Sequence, residues 1–197
     1  MNDSASPHQG PSKPGPSKIG LVIGVLLFVA LAGLLFYGVR QSDRADREAL
    51  PSPLIGKPAP DFSLPVLHES GRLVSKRELL GAPYVLNVWG SWCPECRVEH
   101  PVLSKFALTK RVRVIGYNLK DEHAEALKWL EQFGNPYMLV LTDYDGRAAI
   151  DWGIYGAPET FLVDAKGIVR WKHVGALTDE IIKNELIPQI EKAERGG

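Results

Sequence analysis

"VWGSWCPECRVEHP", Val88 to Pro101, holds both cysteines of the chain, Cys93 and Cys96, separated by two residues. Just upstream, "YVLNVW" (Tyr84 to Trp89) is almost continuously apolar, as a central strand covered on both faces is. Downstream, a helix is expected from the cysteines toward Leu108. A Cys-x-x-Cys pair at such a junction puts its first sulfur where backbone N–H groups lack helical partners and the helix dipole is positive, which favours the thiolate. Cys93 is therefore expected to be the nucleophile. Cys96, one turn deeper, is placed to attack it and resolve a mixed disulfide. Trp92 and Pro94 around the first cysteine suit a rigid, partly exposed turn. The redox-active Cys93–Cys96 disulfide would be the reacting group, with no further cofactor and no metal.

Other uses of the pair fail on spacing. Covalent haem attachment needs histidine directly after the second cysteine, where this chain has Arg97. A peroxidase of the peroxiredoxin type is expected to carry proline seven and threonine or serine three residues before its reactive cysteine, where Leu86 and Gly90 stand. A copper or zinc module would have to recruit His100 as a third ligand, and this stays open as an alternative.

Around this centre the chain alternates strand and helix. "DFSLPVL" suggests a short edge strand, followed after the cysteine helix by strand "VRVIGYNL" and a helix His123 to Phe133 with Leu127, Leu130 and Phe133 on one face. Then come strand "YMLVLTD", a short helix near Ala148 to Trp152, "TFLVD", a turn at "AKG", and strand "IVRWKHV". A last helix starts at Thr178 as N-cap and is expected to kink at Pro188. The pattern is α/β, with a mixed central β-sheet flanked by helices over residues 54–197.

The N-terminal quarter is of another kind. Residues 1–18 are rich in proline, glycine and serine and are expected to be disordered. Ile19 to Val39 follow without a single charge, long enough for a helix to cross a hydrocarbon core of about 30 Å. An uncleaved transmembrane anchor is expected. Ala30-Leu31-Ala32 imitates a signal-peptidase site, but the apolar run continues past it, and a cleaved signal peptide stays as the alternative. Residues 40–53, charged and then proline-rich, suit an extended linker. Lysine plus arginine equals aspartate plus glutamate at 23 each, so no global field favours nucleic acid.

From about Leu54 onward the chain resembles the thioredoxin-like oxidoreductases, with "WCPEC" as the active site and Pro101 matching the proline that kinks the helix after it. "YGAPETFLVD", Tyr155 to Asp164, places Ala157-Pro158 where these proteins carry a cis-proline facing the disulfide. Together the two segments most resemble the membrane-anchored CcmG/DsbE family of cytochrome c maturation. The resemblance implies a thioredoxin-like fold and a protein disulfide reductase on the periplasmic side of the inner membrane. It further implies apocytochrome c or a maturation protein as substrate, and a membrane thiol reductase of the DsbD/CcdA type as electron donor. A dithiol oxidase or isomerase is the rival within the same chemistry.

Against that family background the acidic residues set the direction of transfer. General thioredoxins bear a buried aspartate six residues before the first cysteine, and Asn87 stands there. Glu99, one turn after Cys96, and Glu159, beside Pro158, are the candidates to accept the Cys96 proton. Glu95, between the thiols, and Glu159, expected to face the sulfurs, would oppose a thiolate at Cys93. Such opposition makes the dithiol a better reductant.

Overall fold

The computed structural model describes residues 18–45 and 52–195. Most of the expected disordered tail and the middle of the expected linker lie outside these residues. The chain divides into two units between Asp46 and Arg47. The first contains one helix, α1 (Lys18–Ala45), whose stretch Lys18–Gly38 is long and apolar enough to cross a membrane. None of that stretch is buried by protein.

The second unit is built on one seven-stranded sheet in the order β2-β1-β5-β4-β3-β6-β7. Its strands are β1 (Ser63–Val66), β2 (Glu69–Ser75), β3 (Tyr84–Trp89), β4 (Arg113–Leu119), β5 (Leu139–Asp143), β6 (Glu159–Val163) and β7 (Val169–Val174). The three middle strands β5, β4 and β3 run parallel, and the outer pairs are antiparallel. Helices connect the parallel strands, as such crossovers require. They are α3 (Pro94–Leu108) between β3 and β4, and α4 (His123–Phe133) between β4 and β5. Short helices α2 (Lys76–Leu79) and α5 (Arg147–Asp151) precede β3 and β6. The chain ends in α6 (Asp179–Ile181), a π-helical turn Ile182–Leu186, and α7 (Ile187–Arg195).

Alternation along β3 divides the core. Val85 and Trp89 face a cluster with Leu103, Phe106, Trp129, Leu130, Leu186 and Ile190 from α3, α4 and the C-terminal helix. Tyr84, Leu86 and Val88 face the other layer, with Leu79, Ala149, Trp152 and Phe161. All six residues of β3 are buried, as the unbroken apolar run required.

One expectation needs correction. The strand from "DFSLPVL" is not at the edge. It lies between β5 and β2, a strand the sequence pattern hid because Glu69, Ser70, Gly71, Arg72 and Leu73 are all exposed and only Val74 is buried. A two-residue turn, Leu67-His68, without glycine or asparagine, joins the pair. In α4, Leu127, Leu130 and Phe133 share the core-facing side as expected, with Ala126 and Trp129 buried alongside Leu130. Pro188 is accompanied by a π turn, in which the Ile187 N–H donates to the Ile182 carbonyl just before the proline that has no N–H to give.

Candidate active site

Sheet register assembles the site. Trp89, the last residue of β3, pairs with Asn118 of β4 on one side, and its neighbour Val88 pairs with Glu159 of β6 on the other. Because β6 runs antiparallel to β3, the residues just before Glu159 lie beside the β3 exit. Ala157-Pro158, in the cis form, therefore flanks the turn carrying the cysteines. The β4–α4 loop flanks it from the opposite side.

Cys93 and Cys96 are joined by a disulfide, with their α-carbons 5.4 Å apart. Cys93 is the N-cap of α3, and its sulfur accepts a hydrogen bond from the Cys96 N–H at 3.1 Å. Pro94 occupies the first helical position, where a missing N–H costs nothing. Both cysteines are buried, Cys93 only 3% exposed, so the openness expected of the turn resides in Trp92, 50% exposed, and Pro94 rather than in the sulfur. Across the turn, beside the cis peptide bond to Pro158, Ala157 is half-buried.

Beneath Cys96 lies a buried polar network. Glu99, one turn on along the same face of α3, is 2% exposed. Its Oε1 accepts from the Asn87 amide at 2.9 Å and its Oε2 from the Leu177 N–H at 2.8 Å. Asn87 also donates to Thr160 Oγ1 and accepts from the Tyr137 hydroxyl at 2.8 Å. Burial pushes the Glu99 carboxyl up to about 7, and the hydrogen bonds from Leu177 and Asn87 only partly offset it. A group poised there can hold or release a proton near neutrality.

The other glutamates stand elsewhere. Glu95 is exposed in the first turn of α3, where a negative charge stabilises the helix dipole. Glu159 is buried but projects with Phe161 and Val163 toward the layer opposite the cysteines. Its Oε2 lies 2.8 Å from Lys172 Nζ, and its Oε1 accepts from the Tyr155 N–H. The expected role of Glu159 as a charge facing the sulfurs is corrected by this geometry: strand alternation turns it away, and Lys172 neutralises it. Lys172 also donates to the Gly153 carbonyl and lies over the Tyr155 ring, 4.9 Å from its centre.

His100 is buried between α3 and α4. Its Nε2 donates to the carbonyls of Phe133 and Gly134, and its ring meets Trp129 edge-on at 4.5 Å between centres. Burial holds its pKa below the ordinary histidine value. His100 Nε2 is thus committed to the end of α4. Among the described residues no group of three or more histidine, cysteine, aspartate or glutamate side chains is gathered to hold a metal.

Two residues that the sequence did not single out brace the segments on either side of the cysteine turn. Asp121, in the β4–α4 loop, binds Ser91, and Lys172 braces Tyr155. Both contacts join segments far apart in sequence, so no local pattern announces them.

The redoxin family profile matches residues 54–186. The thiol:disulfide interchange protein DsbE of Xylella fastidiosa strain Temecula1 is 52% identical over 181 residues, covering 92% of this chain and 89% of that protein. DsbE of Allochromatium vinosum is 47% identical over 170 residues, covering 86% and 92%. A crystal structure from Chlorobium tepidum, described as a candidate DsbE, superposes with a TM-score of 0.61 at 30% identity, covering 71% of this chain and 96% of that one.

Proposed function

Because the chain belongs to the redoxin family and, within it, to the DsbE thiol:disulfide interchange proteins, we propose that this thiol–disulfide oxidoreductase works as a membrane-anchored reductant in cytochrome c maturation. The observation that carries the direction of transfer is the buried Glu99 carboxyl, pushed up to about 7, one turn beyond Cys96. A basic group in that place would stabilise thiolates and make the pair an oxidant. A carboxylate there opposes thiolates and makes the dithiol the better electron donor, while its proton uptake speeds the exchange itself.

In the reduced protein the Cys93 thiolate attacks a disulfide of the substrate. A Cys93–substrate bond forms, the substrate disulfide breaks, and one substrate sulfur leaves as a thiolate. Cys96 then gives its proton toward Glu99 and attacks Cys93. The Cys93–Cys96 bond forms, the mixed disulfide breaks, and the second substrate sulfur leaves. Two electrons have passed from the protein dithiol to the substrate, whose thiolates take protons from solvent. The disulfide is the redox group, so the step uses no metal or organic cofactor. Exposed Trp92 and Pro94, beside Cys93, and Ala157 across the turn would meet the incoming chain.

The substrate is apocytochrome c or a maturation partner, whose thiols must be free before haem can be attached. Helix α1 anchors the chain in the inner membrane as a single span, with the second unit in the periplasm. An oxidising compartment is where a dedicated reductant is needed. A membrane thiol reductase of the DsbD/CcdA type returns the dithiol. A Cys96→Ser variant tests this reading: it should accumulate a mixed disulfide between Cys93 and the substrate, identifiable by mass. The reading is lost if the trapped bond forms through no protein partner. An equilibrium potential well above about −200 mV would instead indicate an oxidase or isomerase.

A further inference from the structure

Asp121 takes no part in the exchange just described, yet its carboxylate grips the turn that presents Cys93. It is 8% exposed. Oδ2 accepts from the Ser91 N–H at 2.6 Å and from the Asn118 amide at 2.8 Å. Oδ1 accepts from the Ser91 hydroxyl at 2.6 Å and from the Glu122 N–H at 3.0 Å. Beside it the Trp92 indole N–H donates to the Leu119 carbonyl at 3.0 Å. The two residues immediately before Cys93 are thus fastened to the end of β4 and the loop after it. Gly90 makes room for this, because a Cβ there would lie 2.5 Å from Trp92 Nε1.

A plain helix cap does not account for these contacts. Only the Glu122 bond serves the start of α4, and Glu122, the N-cap itself, makes no side-chain cap bond. The other bonds reach Ser91 and Asn118, outside that helix. Hydrogen bonds to an ionised carboxylate are the short, strong kind, and both contacts with Ser91 are at 2.6 Å.

We infer that Asp121 is a positioning residue for the exchange reaction: acting through Ser91, it holds the turn in the shape that brings the Cys93 sulfur onto Cys96. The inference rests on Cys93 and Cys96 being the exchanging pair. The equilibrium between dithiol and disulfide measures the effective concentration of one sulfur at the other, and this falls when the turn is free to wander. Asp121→Ala also removes a carboxylate from the loop beside the turn. Ser91→Ala separates the two effects, because it removes the hydroxyl bond and keeps the charge.

The test is the equilibrium of the full chain, in detergent, with reduced and oxidised glutathione. Asp121→Ala should lower the equilibrium constant for disulfide formation by about three- to tenfold, and Ser91→Ala by about two- to threefold. In the double variant the losses should be less than multiplicative, because both act through one contact. Asp121→Asn, which keeps an acceptor oxygen for the Ser91 N–H, should recover part of the loss. If Asp121→Ala does not fold, the Ser91→Ala and Asp121→Asn values decide. Constants equal to the unaltered protein's in folded variants, or fully multiplicative effects, overturn the inference and leave the proposed function standing. An unaltered protein that does not exchange with glutathione at all overturns both.

Discussion

At the scale of single residues, Glu99 links chemistry to stability. Its folded pKa, about 7, lies above the ordinary 4.5. A carboxyl raised in this way contributes stability that is fully present below its unfolded pKa and is lost as pH rises through the folded one. The unit should therefore lose stability between about pH 4.5 and about pH 7, by on the order of 3 kcal/mol for a shift of this size. Glu99→Gln should flatten that window in denaturant titrations. It should also slow the release of substrate from the mixed disulfide about 10- to 100-fold, with the inflection near neutrality removed from the pH profile. An unchanged profile would show that Cys96 delivers its proton elsewhere. Cys93, Cys96 and Glu99 were legible in the sequence because spacing along one helix fixes which side chains share a face. Asp121 was not, since its contact with Ser91 depends on two loops being brought together by strand pairing.

At the scale of elements, the β6–β7 pair explains why Glu159 was misplaced. Strand alternation settles which face a residue takes, and that alternation is invisible when all five residues of β6 are buried. Glu159 and Lys172 sit on neighbouring strands, with Phe161 paired to Lys172 and Glu159 to Val174. Their ion pair reaches back to the Gly153 carbonyl and the Tyr155 N–H, so it braces the segment leading to Pro158. Lys172→Met would leave a carboxylate buried without its cation. The expected cost is about 3 kcal/mol, which lowers the thermal midpoint by roughly 6 to 12 °C in a unit of this size. Glu159→Gln should cost less and should leave the alkylation rate of Cys93 unchanged, because the group projects into the other layer. A changed rate would return Glu159 to the vicinity of the sulfurs. The hairpin β1–β2 was half legible for a related reason. A strand that exposes five consecutive residues shows no alternation to read.

At the scale of the whole molecule, the division after Asp46 separates the chemistry from the apolar helix. Leu54 onward already belongs to the sheet unit. Gly56 and Lys57 exchange backbone hydrogen bonds with Val169, and the Ala59 N–H donates to the Gly167 carbonyl. A fragment beginning at Pro51 keeps this strap and the complete core. It should be soluble without detergent, with the same thermal midpoint and the same glutathione equilibrium as the full chain. What it should lose is encounter rate. Confinement to the membrane raises the effective concentration of the site at a donor in the same bilayer, and tethering effects of this kind amount to about 100-fold or more. With the donor reconstituted in vesicles, reduction of the fragment should be slower than that of the full chain by at least about tenfold at equal protein concentration. Reduction by a small soluble dithiol should not differ. Equal rates with the membrane donor would show that partner recognition resides wholly in the surface around Trp92, Pro94 and Ala157, and that the apolar helix serves placement in the cell rather than electron transfer.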